Sequence, residues 1–124
     1  KMPRELRRLS EPQVINYLIT ITFLDKRATV DIKVTGTDNV LVSLEMNFRK
    51  GGKFSGVITD KNRSDSYFLK EGYGAYTKDG SVINFGPGKI EHQWGTMRGM
   101  DEKPYGNTVY INGHTPFKHT LEIY

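Results

Sequence analysis

The sequence contains no cysteine, and this absence removes several kinds of chemistry from consideration. Without thiols the chain forms no disulfide, offers no thiolate to a metal ion and has no cysteine nucleophile. The absence does not identify a cellular compartment, because many secreted bacterial domains also lack disulfides.

A long apolar run is also missing. The longest run is far shorter than the roughly 20 residues that a helix needs to cross a bilayer, so no membrane association is expected. No signal-peptide pattern of charged start, apolar middle and small-residue cleavage site is present. Because the first residue is Lys1 and not an initiator methionine, we expect an excised fragment or a processed product.

Several motifs of known chemistry are absent as well. The sequence has no G-x-S-x-G elbow, no G-x-x-x-x-G-K-[ST] phosphate loop and no H-E-x-x-H zinc helix. His92, His114 and His119 fall on different predicted elements, which does not favour a metal site. We therefore expect no nucleotide-dependent enzyme, no cofactor and no metal.

Positive charge is limited in amount and in extent. Eighteen lysines and arginines against fourteen acidic residues leave a formal charge of +4, and only the segments KMPRELRR and FRKGGK concentrate it. Two short basic segments supply less positive charge than a nucleic-acid interface usually has. A nucleic-acid partner is therefore not expected.

The first dozen residues differ from the rest of the chain. Leu6 and Leu9 stand at helical spacing among arginines, and Pro12 ends any helix there. We expect a short helix or a linker over residues 1–12, followed by a single domain over residues 13–124.

A two-residue period dominates from Gln13 onwards. In QVINYLITITF the odd positions from Ile15 to Phe23 are apolar, as a half-buried strand requires, and the even positions from Val40 to Phe48 repeat the pattern. In KFSGVIT, Gly56 interrupts the alternation, which favours a bulge. Turn residues separate the runs, as in DKR, TGTDN, RKGGK and Lys78-Asp79-Gly80-Ser81.

About nine or ten short strands separated by turns predict an all-β fold. The interpretation that we favour is an antiparallel β-sandwich, jelly-roll-like, after the short N-terminal helix or linker. A closed β-barrel is the alternative, because eight or more strands can close around one small molecule.

The stretch GKIEHQWGTMRG holds the first candidate binding residues. If it is a strand, His92, Trp94 and Arg98 share one face. Trp94 is the only tryptophan, and a guanidinium is too costly to bury without a partner, so Arg98 is expected to be exposed or paired. An indole, an imidazole and a guanidinium together suit a sugar ring with its hydroxyls or a uronic carboxylate.

Tyr73 and Tyr76 are the secondary candidates for ligand contact. They differ in parity unless Gly74 bulges the strand, so we expect part of this aromatic area to line a surface. His119 shares a face with apolar neighbours of the last strand, which predicts a hydrogen-bonded histidine at the border of the core.

Four glutamates, Glu45, Glu71, Glu91 and Glu122, would be the source of an acid–base pair for glycoside hydrolysis. The separation of the two carboxylates decides the mechanism of such a pair. The sequence gives no separation. We therefore assign no catalytic residue and do not expect the isolated chain to be an enzyme.

The string FGPGKIEHQWGTMRG, followed by VYINGHTPFKHTLEI, resembles the C-terminal β-sandwich regions of heparinase-like polysaccharide lyases and related glycan-degrading proteins. The matching residues cover about the last third of the chain: Phe85-Gly86-Pro87-Gly88, His92, Trp94, Arg98-Gly99, Tyr110-Ile111-Asn112-Gly113-His114-Thr115-Pro116-Phe117 and His119. The large helical catalytic region of such lyases is absent, so no lyase catalytic residue is transferred.

What the resemblance implies is a non-catalytic accessory domain associated with polysaccharide degradation. It would bind a polysaccharide or uronic-acid glycan, or pack on a catalytic domain of the same full-length chain, in the periplasm or outside the cell. Two alternatives remain: a small β-barrel that binds a hydrophobic molecule, and a stand-alone glycan-active enzyme with His92 or Tyr73 as its base.

Overall fold

The computed structural model describes residues 14–61, 63–90 and 106–124. Those residues contain no helix, so no helix among them could cross a membrane. They form ten strands: β1 (Ile15–Leu24), β2 (Arg27–Gly36), β3 (Leu41–Arg49), β4 (Lys53–Ser55), β5 (Ile58–Thr59), β6 (Ser66–Phe68), β7 (Gly74–Lys78), β8 (Ser81–Gly86), β9 (Gly106–His114) and β10 (Phe117–Ile123).

The strands form two sheets of unequal width. The larger has six strands in the order β1-β2-β10-β8-β7-β4, and the smaller has four in the order β3-β9-β6-β5. Neighbouring strands run antiparallel except β6 and β9, which run parallel. The predicted all-β sandwich is confirmed. The alternative of a closed barrel is wrong, because the described strands remain in two separate sheets.

Two tight hairpins confirm turns that the sequence predicts. Asp25 and Lys26 join β1 to β2 with φ angles of 51° and 63°, and Asp79 and Gly80 join β7 to β8 with φ angles of 51° and 80°. Positive φ at both central residues is characteristic of the two-residue turn whose twist matches that of the flanking strands. Short polar residues and glycine tolerate this conformation best.

The core lies between the sheets and takes side chains from both. Its main cluster of buried residues consists of Met46, Leu69, Tyr76, Phe85, Val109, Ile111 and Leu121. Phe48 of β3 packs against three rings of the larger sheet, with centroid distances of 5.3 Å to Phe54, 5.0 Å to Tyr76 and 5.0 Å to Phe85. Aromatic contacts of this kind add to the burial term.

A second cluster extends the core towards β2. Ile32, Val34 and Phe117 are buried there, and Val42 and Leu44 of β3 pack against them. One end of β3 therefore lies under β2 and β10, and the other end, with Phe48, lies under β7 and β8. The smaller sheet thus crosses the larger one obliquely.

The inner face of β1 differs from the sequence prediction of a half-buried strand. Its inward row, called here the β1 row, pairs with the buried side of β2, Ile19 opposite Ile32 and Tyr17 opposite Val34. The β1 row consists of Ile15, Tyr17, Ile19, Ile21 and Phe23. Apart from Ile15 its members are 56–77% exposed, because β1 is the outermost strand of the wider sheet.

His119 confirms its predicted place at the border of the core. The side chain is half-buried, and its Nε2 lies 2.7 Å from the carbonyl oxygen of Pro87. A carbonyl oxygen only accepts, so Nε2 donates the proton in this contact. The short helix or linker predicted over residues 1–12 lies outside the described residues, and the boundary after it stays a prediction.

Candidate functional site

The three primary candidates of the sequence analysis lie outside the described residues. His92, Trp94 and Arg98 all fall within residues 91–105, which the structure does not describe. Their shared face stays a prediction.

The structure describes both secondary candidates, and one side chain is buried while the other is exposed. Tyr76 is 4% exposed, its ring packs against Phe48 and Phe54, and its hydroxyl donates to the carbonyl oxygen of Arg49. Tyr73, just before β7, is 45% exposed. Of this pair, Tyr73 is therefore the ring that a ligand can reach, and Tyr76 is a core residue.

Tyr73 belongs to a cluster on the outer face of the larger sheet, the Tyr73 patch, which comprises Arg27, Tyr73, Glu122 and Tyr124. Glu122 is its centre: one carboxylate oxygen accepts from the Tyr73 hydroxyl at 2.6 Å, and the other accepts from Arg27 Nη1 at 2.6 Å. The Arg27 guanidinium carbon lies 4.1 Å from the centroid of the Tyr124 ring. The two tyrosine rings meet edge to face with centroids 6.3 Å apart.

Strand register brings these residues together. Glu122 points outward from β10, because its neighbour Leu121 is 4% exposed and faces the core. It pairs with Thr29 of β2 on one side and with Gly86 of β8 on the other. Arg27 begins β2 directly after the two-residue turn.

Gly86 is what allows Tyr73 to reach Glu122. A Cβ at this position would lie 2.9 Å from Cδ2 of Tyr73 and 2.8 Å from the carbonyl oxygen of Gly72. The φ angle of Gly86 is +149°, a conformation that residues with a side chain rarely adopt. The tyrosine therefore crosses β8 at a position where no side chain stands in its way.

A surface hollow of about 460 Å³ adjoins the patch at Arg27. Its lining comes from the outer face and turn of the β1–β2 hairpin: Thr22, Leu24, Asp25, Arg27 and Thr29. Thr22 and Thr29 stand directly opposite each other in the two strands. The volume lies within the range of small-ligand sites, roughly 300–1,000 Å³, and the lining provides two hydroxyl groups, a guanidinium and the carboxylate of Asp25.

The two hydrogen bonds shift the protonation equilibria of the patch. The hydrogen bond from Tyr73, reinforced by the one from Arg27, lowers the pKa of Glu122 below its ordinary value. The hydrogen bond to Glu122, with smaller effects of burial and of the negative charge on Glu122, raises the pKa of Tyr73. At neutral pH the carboxylate is therefore ionised and the phenol is protonated.

These directions favour recognition over proton transfer. A tyrosine that serves as a general base needs a lowered pKa, and a carboxyl that serves as a general acid needs a raised one. Tyr73 and Glu122 are shifted the other way. They form a hydrogen-bonded pair within the chain, in which the Tyr73 hydroxyl donates and the Glu122 carboxylate accepts.

Unused hydrogen-bonding capacity remains on Arg27. Only Nη1 donates to Glu122, so the other N–H groups of the guanidinium have no acceptor within the described stretches of chain. They are free to donate to a ligand oxygen. Across residues 14–61, 63–90 and 106–124, no group of three or more histidine, aspartate or glutamate side chains could hold a metal ion.

Sequence reasoning missed Arg27 and Tyr124, and considered Glu122 only as a catalytic carboxylate. Arg27 and Glu122 are 95 positions apart, and Tyr73 and Glu122 are 49 apart. No local pattern connects positions so distant. The one available signal was the outward parity of Glu122 on the last strand.

No protein-family model, no curated protein and no solved structure matches the chain. None of these comparisons supports the resemblance to heparinase-like lyases, which stays a prediction.

Proposed function

We propose that the chain is a non-catalytic accessory β-sandwich domain that binds glycan through the Tyr73 patch. The observation that carries the proposal is the carboxylate of Glu122, fixed by Tyr73 and Arg27 beside a pair of partly exposed tyrosine rings. Tyr73 is 45% and Tyr124 is 42% exposed. Rings of this kind offer large apolar area at small entropic cost.

The chemistry of the patch suits a sugar with a carboxylate. The face of a tyrosine ring covers the C–H face of a pyranose, and ionised Glu122 accepts from sugar hydroxyls. The free N–H groups of Arg27 match the planar geometry of a uronic carboxylate. The threonine hydroxyls of the adjoining hollow would contact the next sugar unit.

The sequence resemblance extends this proposal in two directions. His92, Trp94 and Arg98 would form a further contact surface, and the natural setting would be a periplasmic or extracellular glycan-degrading protein. The other form of the proposal, in which the domain packs on a catalytic domain of the same full-length chain, is supported by the resemblance alone.

Calorimetric titration of the chain with oligosaccharides tests the proposal. We expect uronic-acid oligosaccharides to bind with a dissociation constant in the micromolar to millimolar range, and neutral ones to bind more weakly. Arg27→Ala removes a charge-assisted contact of about 1.5–3 kcal/mol, so it should weaken uronic-acid binding at least tenfold. Tyr73→Phe keeps the ring, removes the hydroxyl and should have a smaller effect.

Lys78→Ala is the matched control. Like Arg27, Lys78 is a partly exposed cation in an ion pair with a carboxylate, here 3.0 Å from Asp79, but it lies on the β7–β8 hairpin. Its removal should leave binding unchanged. Absence of heat with every glycan would contradict the proposal, and loss of binding in Trp94→Ala but not in Arg27→Ala would move the site to the indole surface.

A further inference from the structure

The outermost strand β1 lacks the features that keep exposed sheet edges apart. From Val14 to Leu24 the sequence VINYLITITFL has no charged residue, no proline and no glycine. Natural edge strands are short or carry lysine, proline or a bulge, which prevents pairing with other chains. The opposite edge follows this rule, because β4 is only three residues long and begins with Lys53.

One side of the β1 backbone pairs with no strand among residues 14–61, 63–90 and 106–124. A two-residue turn makes Leu24 and Arg27 a hydrogen-bonded pair, and such pairs alternate along an antiparallel ladder. At the other end the Val14 carbonyl accepts from Thr37 N at 2.8 Å, which agrees with this alternation. Even-numbered residues of β1 therefore bond to β2. The N–H and C=O groups of the β1 row point to the free edge, where no described strand pairs with them.

The side chains of the same residues form an exposed apolar surface. Tyr17 is 72% and Phe23 is 77% exposed. At 150–250 Å² for a large ring, the β1 row exposes on the order of 500 Å². The largest apolar patch of a typical monomer is about 300–600 Å² and often functional. Backbone groups without a described strand partner and exposed apolar side chains thus coincide on one strand.

We propose that β1 is the contact surface for a second copy of this chain, with the two β1 strands pairing antiparallel around Ile19. The β1 row is symmetric about this residue, so Ile19 would face its own copy, Tyr17 would face Ile21, and Ile15 would face Phe23. Every outward backbone group then finds a partner, giving about ten hydrogen bonds. An average protein interface has about ten.

A second copy fits this strand because the strand is complementary to itself. Apolar residues meet apolar residues at every position, and no charge approaches a like charge. A standard stable interface buries about 800 Å² per partner. The apolar area available to the contact comprises the roughly 500 Å² of the β1 row and, on the other face, Leu18 and Leu24, exposed by 64% and 72%. Because the contact is isologous, it closes at the dimer.

Sedimentation velocity of the 124-residue chain, from micromolar to submillimolar concentration, tests the proposal. We expect a dimer of twice the 14.2 kDa chain mass. Ile19→Lys places two ammonium groups opposite each other at the centre of the contact and should weaken dimerisation at least a hundredfold. Val82→Lys makes the same charge change at a residue of β8 that is 54% exposed, and it should remain dimeric.

A second variant separates backbone pairing from apolar contact. Ile19→Pro removes one outward N–H and leaves the even-numbered bonds to β2, and proline is tolerated on edge strands. It should also be monomeric. Far-UV circular dichroism checks that each variant is folded; if Ile19→Lys is not, Tyr17→Lys takes its place.

The outcomes that overturn the proposal are distinct. A wild-type chain that stays monomeric at every concentration shows that no second copy occupies β1. A dimer that persists in folded Ile19→Lys has its interface elsewhere, and growth beyond the dimer shows an open-ended contact. No glycan is present in these measurements, so their result is independent of the proposed function.

Discussion

Glu122 illustrates what decides the chemistry of a single residue in this protein. Alternation along the last strand already points its side chain outward. Its two hydrogen-bond partners come from the start of β2 and from the residue before β7. The carboxylate therefore has these two hydrogen-bond partners only because β10 lies between β2 and β8 in the larger sheet.

Gly86→Ala tests the approach of Tyr73 at the residue scale. The added Cβ would lie 2.8–3.0 Å from atoms of Gly72 and Tyr73, and the backbone strain alone costs about 1–3 kcal/mol. We expect lower stability in urea denaturation and weaker glycan binding.

Gly80→Ala is the control for this prediction. Its φ is also positive, at +80°, but a Cβ there would meet no atom within 4 Å. It therefore carries the conformational cost without the clash and should destabilise less. Equal losses in the two variants would contradict the idea that Gly86 makes room for Tyr73.

The pH dependence of stability follows from the opposite pKa shifts of the patch. The pKa of Glu122 is lowered, so its contribution is present above the ordinary value of 4.5 and is lost as the pH falls below it. The pKa of Tyr73 is raised, so its contribution is present below pH 10.0 and is lost as the pH rises above it. Between these limits the contribution of the patch should be constant.

Denaturation of wild type and Glu122→Gln over a pH series measures the acid limb. The stability difference between the two proteins should be constant near neutrality and shrink below about pH 4.5. Tyr73→Phe does the same for the alkaline limb, where its difference from wild type should shrink above about pH 10. A difference with Glu122→Gln that does not respond to acid would show that the carboxylate is not held by these bonds.

At the scale of elements, long strands and tight turns were predictable and short strands were not. The alternation in β3 and the Asp25–Lys26 turn are local properties, because each depends on a few consecutive residues. The segment KFSGVIT was expected to be one strand with a bulge. Instead Gly56 separates β4 in the larger sheet from β5 in the smaller one. Its φ is +76°, and a Cβ added to it would lie 2.5 Å from the carbonyl oxygen of Tyr73.

Phe48→Ala tests the contribution of β3 to the core. Its ring contacts three other rings, and truncation of a packed phenylalanine costs about 3–5 kcal/mol. We expect a loss of this size in urea denaturation, against less than about 0.5 kcal/mol for exposed Val82→Ala. Similar losses in both variants would show that Phe48 does not join the two sheets.

The whole molecule is shaped by the difference in width between its sheets. A six-stranded sheet over a four-stranded one leaves its outermost strand without an opposing strand among the described residues. The β1 row is as apolar as a core strand and pairs with the buried side of β2. Its exposure is a property of the assembly of the sheets, and dimerisation through β1 is the prediction that belongs to this scale.

By itself, the sequence determined the all-β class, the long strands, the hairpin turns and the border position of His119, because period and turn chemistry act over neighbouring residues. Only the tertiary structure decided which apolar rows are covered. It also decided that Tyr76 is buried while Tyr73 meets Arg27 and Glu122 at the surface. Those outcomes depend on strand order and sheet width, which join positions dozens of residues apart, and alternation within one strand carries no information about either.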